Sequence, residues 1–335
     1  MICEILCVLA GHRSALFDDE AHVVLDFVPL LHPGEVEILQ SLARLAHRFV
    51  RIRTAANQFR LSYNTYIHGE SSHSTSEYIS TLGNAIHDVL LEYEDLVVST
   101  ESRILKRDDE LVGGQSFVPL SSIKAVFSTW EAPMAALDTL IEEIYHGIDL
   151  KGEIEAPNTS GKAQLPYWPP GRLIDLLLLR AENGIQRVSH IMTKLAEALQ
   201  RLCMIHLTAF MLHGSLSALQ PLATSMTEDE TGMSIRDISS LVVQENMIPS
   251  CVTAETRESI VYVGKAVAIM ASQGNAHAQL SRGMIVEFAK MLSEVLPQDG
   301  FAFDRAIGEI RKAISEFLWA HILKYKDVIE AVEFL

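Results

Sequence analysis

The apolar positions between residues 38 and 66 recur at alternating steps of three and four residues. This spacing places the side chains on one stripe of an amphipathic α-helix about 30 residues long. Pro33 suits the first helical position, and Glu35 suits the first turn. The pattern therefore predicts a long helix that begins close to Pro33. Its stripe consists of Ile38, Leu42, Leu45, Phe49, Ile52, Ala56, Phe59, Tyr63 and Tyr66.

The same helical spacing returns along most of the chain. The further segments that carry it are Ile79–Leu96, Ile123–Ile144, Ile260–Ala271, Met284–Leu296 and Ile307–Val332. No segment of strand length alternates cleanly between apolar and polar residues, so we expect no sheet. The pattern predicts an all-α protein, built as an elongated assembly of successive antiparallel helical bundles.

Another long stripe precedes Gly214, which is expected to stop the helix. The residues assigned to it are Val188, Ile191, Leu195, Ala198, Leu202, Ile205, Ala209 and Leu212. Before this helix, residues 147–171 are rich in glycine and proline, which predicts a linker. We therefore expect sub-bundles at about 1–150 and 170–335.

The chain has 335 residues and a formal net charge of −16 at pH 7. Apolar residues make up 48% and charged residues 21%, a composition that indicates a packed core. An acidic surface repels phosphate backbones and anionic lipids, so we expect no nucleic acid and no membrane as partner. The apolar run Met1–Ala10 contains Glu4 and lacks a basic flank, so no signal peptide is expected. No segment has the length of a membrane span.

Four cysteines occur, and none forms a CxxC pair. Cys3 and Cys7 would share a helix face, and Cys203 and Cys251 stand alone. We interpret all four as small buried hydrophobic residues, since this count is too low for a disulfide scaffold. A reducing compartment such as the cytoplasm is the simplest location.

Motifs that would indicate catalysis are incomplete or missing in the sequence. No HExxH or Gly-x-Ser-x-Gly segment occurs, and Thr159–Lys162 lacks the earlier glycine of a phosphate-binding loop. Asp18–Glu20 and Asp108–Glu110 lack the further carboxylate of a helical magnesium site. His206 and His213 share a predicted helix face and are interpreted as core or interface residues. We expect no enzyme, and no catalytic, cofactor-binding or metal-ligating residue and no cofactor.

A basic edge is unusual in so acidic a chain. Arg44, Arg48 and Arg51 follow positions i, i+4 and i+7 on the first long helix, away from its apolar stripe. Two interpretations remain open for this edge. It is either an ordinary solvated face that pairs with nearby acids, or a candidate lateral interface for an acidic neighbouring subunit.

Five segments, in order along nearly the whole chain, resemble the gamma-tubulin complex components. They are Ile2–Phe17, Leu31–Glu35, Phe210–Gly214, Ile260–Gly264 and Leu318–Trp319. The resemblance is weakest at residues 67–76 and 222–250. Each segment is short, but five in the right order are more specific than any one. The chain is similar to the first half of a family member.

The resemblance implies a non-enzymatic scaffold subunit that packs side by side with other gamma-tubulin complex components. Such complexes template microtubule nucleation at microtubule organising centres and spindle poles, in the cytoplasm and cytoskeleton. The family's second half, which the resemblance implies is absent from residues 1–335, is the half expected to hold gamma-tubulin. The alternative from composition and periodicity alone is a helical-rod tethering or adaptor subunit of another complex.

Overall fold

The structure is a computed structural model in which the described residues form nine α-helices. It describes residues 1–18, 22–24, 27–62, 76–108, 111, 117–149, 152–153, 168–215, 223–224, 242–243, 246–272 and 280–333. The helices are α1 (Ile2–Leu9), α2 (Pro33–Ser62), α3 (Ser76–Leu105), α4 (Leu120–His146), α5 (Pro170–Ala181), α6 (Gln186–His213), α7 (Ala254–Ser272), α8 (Arg282–Ser293) and α9 (Gly300–Glu333). A short 3₁₀ helix spans Val28–Leu30. The predicted all-α fold class is confirmed.

Extended structure among the described residues consists of two small antiparallel ladders and one isolated bridge. The first ladder pairs β1 (Ile148–Asp149) with β2 (Gly152–Glu153), and the second pairs β3 (Ala223–Thr224) with β4 (Val242–Val243). The bridge joins Phe17 to Val23. We expected no sheet, and these two-residue ladders were not visible in the sequence because they are too short to show an alternation.

Helix α2 begins at Pro33, as its sequence predicts. Two side chains, from His32 before the helix and Glu35 in its first turn, form hydrogen bonds at this end. The Nδ1 atom of His32 accepts a hydrogen bond from the Gly34 amide at 3.2 Å. In return, the Glu35 carboxylate accepts one from the His32 amide at 3.0 Å. This reciprocal arrangement satisfies two amides that the helix itself leaves unpaired. The predicted stripe is buried from Leu42 to Phe59, while Tyr63 and Tyr66 lie outside the described residues.

The chain divides into two compact units. Unit 1 comprises Met1–Ser72, Ile79–Tyr167 and Leu179–Leu195, and unit 2 comprises His73–Tyr78, Trp168–Leu178 and Ala196–Leu335. The predicted sub-bundles at about 1–150 and 170–335 stay a prediction.

Unit 1 is organised around an aromatic cluster where α2 and α4 pack closely. The Tyr93 ring lies 4.8 Å from Phe49 and 5.5 Å from Trp130, measured between ring centroids. All three rings are fully buried, and the Tyr93 hydroxyl donates to the Leu9 carbonyl at 3.1 Å. The Arg187 guanidinium lies 4.3 Å from the Trp130 centroid. Apolar burial and tilted ring contacts hold this unit together.

Unit 2 contains close contacts that only glycine permits. A Cβ atom at Gly264 would overlap the Phe210 ring, and one at Gly171 would overlap the Ile248 carbonyl. Gly214 has a φ of +62° at the end of α6, which agrees with its predicted role as a helix stop. Helix α7 packs against α9, and α8 contacts α9 as well.

Helix α5 and the residues before it differ from the sequence-based expectation. Trp168 and Pro169, which we assigned to the linker, are buried together with Pro170 and Gly171. The helix itself was missed because its run of leucines at 176–179 has no clear period. Residues 154–167 of the predicted linker lie outside the described residues.

Helix α6 corrects part of the predicted stripe. Val188, Ile191 and Leu195 are buried as expected, but Ile205 is exposed. From Leu195 onward the buried positions include Leu212, which belongs to the predicted stripe, and Leu199, Cys203, Leu207 and Phe210, which lie outside it. The apolar residues of this half surround the helix, so periodicity alone could not identify which face is covered.

Helix α6 also bears on the expectation that no segment could span a membrane. By length and composition α6 could cross one, and among the described residues no other helix is both long and apolar enough to do so. However, 61% of its most apolar window is buried within the fold. A core helix of a globular protein passes the same test, so this signal is weak.

The cysteines divide between surface and core. Cys203 is buried and Cys251 is half-buried, but Cys3 and Cys7 are exposed, which corrects the predicted burial of that pair. The two do share a face of α1. That face is opposite to the one carrying Ile5, Leu6 and Leu9, which are the buried residues of this helix.

Candidate interaction surface

The basic edge of α2 lies beside acidic residues of α4 within unit 1. Arg51 Nη2 is 2.6 Å from Glu142 Oε1 and 3.3 Å from Asp138 Oδ1. Arg48 Nε is 3.9 Å from Asp138 Oδ2. These helices meet because their apolar stripes share one core, which brings the flanking polar positions of each into register. Two of the three predicted arginines therefore pair with local acids.

Ion pairing and burial act in opposite directions on the pKa values of the residues at this edge. The hydrogen bond with Glu142 holds the pKa of Arg51 above its ordinary value, and burial works in the opposite direction. Burial raises the pKa of Asp138, although Arg51 and Arg48 both oppose the rise. Asp138 Oδ1 is buried and accepts no hydrogen bond from the described residues, despite its proximity to Arg51. Desolvation thus outweighs the attraction of the two arginines.

Arg44 differs from the other two arginines. Its side chain is exposed, and within the described part of the chain no carboxylate pairs with it. It lies one helical turn before Arg48, on the same edge of α2. Of the three candidate arginines, Arg44 is the one that forms no ion pair with a described residue.

A second polar cluster lies in unit 2, and its residue combination was not predicted. His206 Nδ1 lies 3.0 Å from the Tyr78 hydroxyl, and His206 Nε2 lies 3.2 Å from Glu77 Oε2. A neutral imidazole with its proton on Nε2 satisfies both, by accepting from Tyr78 and donating to Glu77. His206 is buried, as one of our interpretations of it requires, whereas His213 is exposed.

Burial controls the protonation of this cluster. It lowers the pKa of His206, although the Glu77 carboxylate opposes this. It also raises the pKa of Tyr78, and raises the pKa of the Cys203 thiol to about 12. These groups are therefore neutral near pH 7, and a thiol held protonated is a poor nucleophile. We interpret the cluster as a structural network in which the buried imidazole has a hydrogen-bond partner at each nitrogen.

The acidic motifs considered in the sequence form local contacts where they are described. Asp18 accepts a hydrogen bond from the His22 amide at 2.7 Å, and Asp108 lies 2.6 Å from Arg103 Nε. Their companions at 19–20 and 109–110, and the segment Thr159–Lys162, lie outside the described residues. Across the part of the chain that is described, no group of three or more His, Cys, Asp or Glu side chains could hold a metal ion.

Comparison with known proteins finds three similar proteins, and all three are gamma-tubulin complex components. The chain is 21% identical to gamma-tubulin complex component 4 of Mus musculus, over 98% of this chain and 53% of the relative. It is 20% identical to the Homo sapiens component 4 over the same shares. Gamma-tubulin complex component gfh1 of Schizosaccharomyces pombe is 26% identical over 41% of this chain and 23% of the relative. The chain thus spans about half the length of the component 4 relatives.

One family matches nearly the whole chain, whereas each of the five segments that carry the resemblance is short. The family described as "Gamma tubulin complex component N-terminal" matches residues 2–324. This match confirms the resemblance inferred from five short segments in order. The chain belongs to the gamma-tubulin complex component family and matches its N-terminal region.

Proposed function

We propose that this chain is a scaffold of a gamma-tubulin complex that packs side by side with other components. The family match over residues 2–324 carries the proposal. It favours this function over a helical-rod tethering subunit of another complex, which periodicity alone left open. The role is one of assembly, without catalysis, and it contributes to a template for microtubule nucleation at microtubule organising centres and spindle poles.

Lateral packing needs a surface that selects its neighbour, and charge complementarity supplies register and specificity. The basic edge supports this role at one position in particular. Arg48 and Arg51 face Asp138 and Glu142, whereas Arg44 projects beyond the pairs. We therefore assign the contact with an acidic neighbouring component to Arg44 first, with Arg48 and Arg51 holding the edge in place.

The proposed partners differ between the two regions of a full-length family member. The chain covers 53% of its component 4 relatives. Following the family resemblance, we propose that binding of gamma-tubulin belongs to the part of those proteins outside the match. Other components are the expected partners of residues 1–335. No nucleic acid or membrane contact is proposed.

A charge reversal at Arg44 tests the assignment. We expect Arg44→Glu to weaken capture of another gamma-tubulin complex component by about fivefold or more, because a repulsive charge replaces an attractive one. Quantitative pull-down at physiological salt measures the effect, with circular dichroism to verify unchanged helicity.

Arg60→Glu is the matched control for this experiment. Arg60 is exposed on the same helix and lies about 160° around the axis from Arg44. It undergoes the same change of charge but should leave capture unchanged. Equal capture by the Arg44→Glu variant and the unmodified chain would remove Arg44 from the interface.

A further inference from the structure

Helix α3 carries three exposed apolar side chains in a line. Leu91 is 43% exposed, Val98 is 63% exposed and Leu105 is 77% exposed. They are seven residues apart, so each lies about 20° from the previous one around the helix. Single exposed hydrophobic residues are normal, but three that recur at equal steps along one helix form a regular feature. We name these three residues the α3 stripe.

The α3 stripe is separate from the face by which α3 joins its own core. Ile86, Val89 and Tyr93 are almost completely buried within unit 1. An ordinary surface helix has one apolar face and one polar face. Helix α3 has a second apolar line on its opposite side, whose three side chains stay exposed beside the described residues.

Acidic residues occupy the turn before the α3 stripe and the turns between its apolar positions. Asp88, Asp95 and Glu101 are exposed, and within the described residues none of them pairs with a basic group. Glu94 lies 4.0 Å from Arg53 Nη1, at the outer limit of an ion pair. The stripe is therefore apolar at every second turn and negative in the turns between.

We propose that the α3 stripe binds a basic amphipathic helix of a partner protein. Such a helix would carry an apolar residue at every seventh position and Lys or Arg in the intervening turns. The apolar residues would cover Leu91, Val98 and Leu105, and the basic residues would pair with Asp88, Asp95 and Glu101. This is the helix-against-helix mode of recognition in which charged flanks select the partner.

The charges argue for one occupant among the alternatives. Two copies of the α3 stripe facing each other would bring like carboxylates together, which disfavours pairing of this chain with itself. An anionic membrane surface is disfavoured for the same reason, in a chain whose net charge is −16. The inference does not depend on the proposed lateral contact, since the residues of the stripe are on a different helix from Arg44.

A synthetic peptide of known sequence pattern tests the proposal. The probe is a fluorescent helical peptide of about four heptads, with Leu at every seventh position and Lys in the turns between. Its binding to the full chain is measured by fluorescence anisotropy at physiological salt. We expect saturable binding with one peptide per chain.

The chain offers a matched pair of variants for this measurement. Val98 and Val286 are both valines on helices, and both are 63% exposed. Val98→Ser should weaken peptide binding by about tenfold, because a buried apolar contact is lost. Val286→Ser, on α8, should leave binding within about twofold of the unmodified chain.

Peptide controls separate a specific site from general attraction to an acidic protein. A peptide with Glu in place of Lys should not bind, and one with Ser in place of Leu should bind weakly. Equal binding of the Ser peptide, or equal effects of the two valine changes, would overturn the proposal. It would also be overturned if the chain alone formed a dimer that Val98→Ser abolished, since the occupant would then be a second copy.

Discussion

The basic edge of unit 1 and the histidine cluster of unit 2 both set a basic side chain against a carboxylate. At the edge, Arg51 is partly exposed, and the shielded partner is Asp138. In the cluster the positions are reversed, because His206 is shielded and Glu77 is the more exposed partner. Arginine keeps its charge at any pH of interest, whereas a buried histidine is most stable when neutral.

This difference separates two uses of polar groups in one fold. The edge keeps charge near the surface, where another molecule can compete for it or add to it. The cluster removes charge and instead satisfies the hydrogen-bonding groups of a buried ring. The edge is therefore a candidate for partner selection, and the cluster is a candidate for stability alone.

Removal of a ring from the aromatic cluster of unit 1 should have the largest effect. Trp130→Ala deletes a buried ring that contacts Tyr93 and Arg187, so we expect a loss of about 3–5 kcal/mol in the free energy of unfolding. Urea denaturation followed by circular dichroism measures it. A loss below about 1 kcal/mol would mean that the cluster is not a core that the fold depends on.

Removal of one hydroxyl from the histidine cluster should have the next largest effect. Tyr78→Phe keeps the ring but leaves His206 Nδ1 without its partner, at a cost of about 1–3 kcal/mol in the free energy of unfolding. Tyr262→Phe is the control, since Tyr262 is partly exposed and its hydroxyl accepts a long, 3.4 Å hydrogen bond from Ser315. If both changes have the same small effect on the urea midpoint, the cluster is not a stabilising network.

Charge reversal along the edge should then distinguish two neighbouring arginines. Arg51→Glu places a carboxylate beside Asp138 and Glu142, so we expect about 1 kcal/mol of destabilisation. Arg44→Glu has no such neighbour in the described residues and should change stability by less than about 0.5 kcal/mol. Urea midpoints of the two variants give the comparison. Equal midpoints would show that the pairs on α4 contribute nothing measurable.

Acidification should produce the smallest effect, and its sign is opposite in the two regions. Burial lowers the pKa of His206 from its ordinary value of 6.5, so the unfolded chain binds this proton more readily. The contribution of His206 is complete above pH 6.5 and is lost as the pH falls through the lowered value. Burial raises the pKa of Asp138 from 3.8, so its contribution is instead complete below pH 3.8 and is lost as the pH rises.

The measurement for this prediction is a pH series of unfolding free energies between pH 7.5 and pH 5. We expect the unmodified chain to lose stability more steeply than a His206→Gln variant over this range, because the variant lacks the titrating ring. Subtraction of the two curves removes the contribution of the other histidines. Parallel curves would show that His206 does not couple folding to protonation.

The sequence predicted the elements whose amphipathic pattern is long and one-sided. The stripe of α2 and its start at Pro33 were readable because one face carries nearly all its large apolar residues. The buried face of the second half of α6 could not be predicted in this way, because apolar residues surround that half. There, tertiary packing determines which face is buried. Ile205 is exposed there, while Cys203 and His206 are buried.

The candidate site was predictable only in part for a related reason. The spacing of Arg44, Arg48 and Arg51 showed that they share an edge, but not that Asp138 and Glu142 lie 87 or more positions away in the chain and close in space. The link between Tyr78 and His206 spans 128 positions and has no local signature. Such contacts depend on how helices pack, which a pattern within one helix does not contain.

We propose above all that residues 1–335 associate with sibling components. Sedimentation-velocity ultracentrifugation of this chain mixed separately with another gamma-tubulin complex component and with gamma-tubulin tests it most directly. We predict a faster-sedimenting complex with the sibling component and unchanged boundaries with gamma-tubulin. A complex with gamma-tubulin and none with any sibling component would contradict the account.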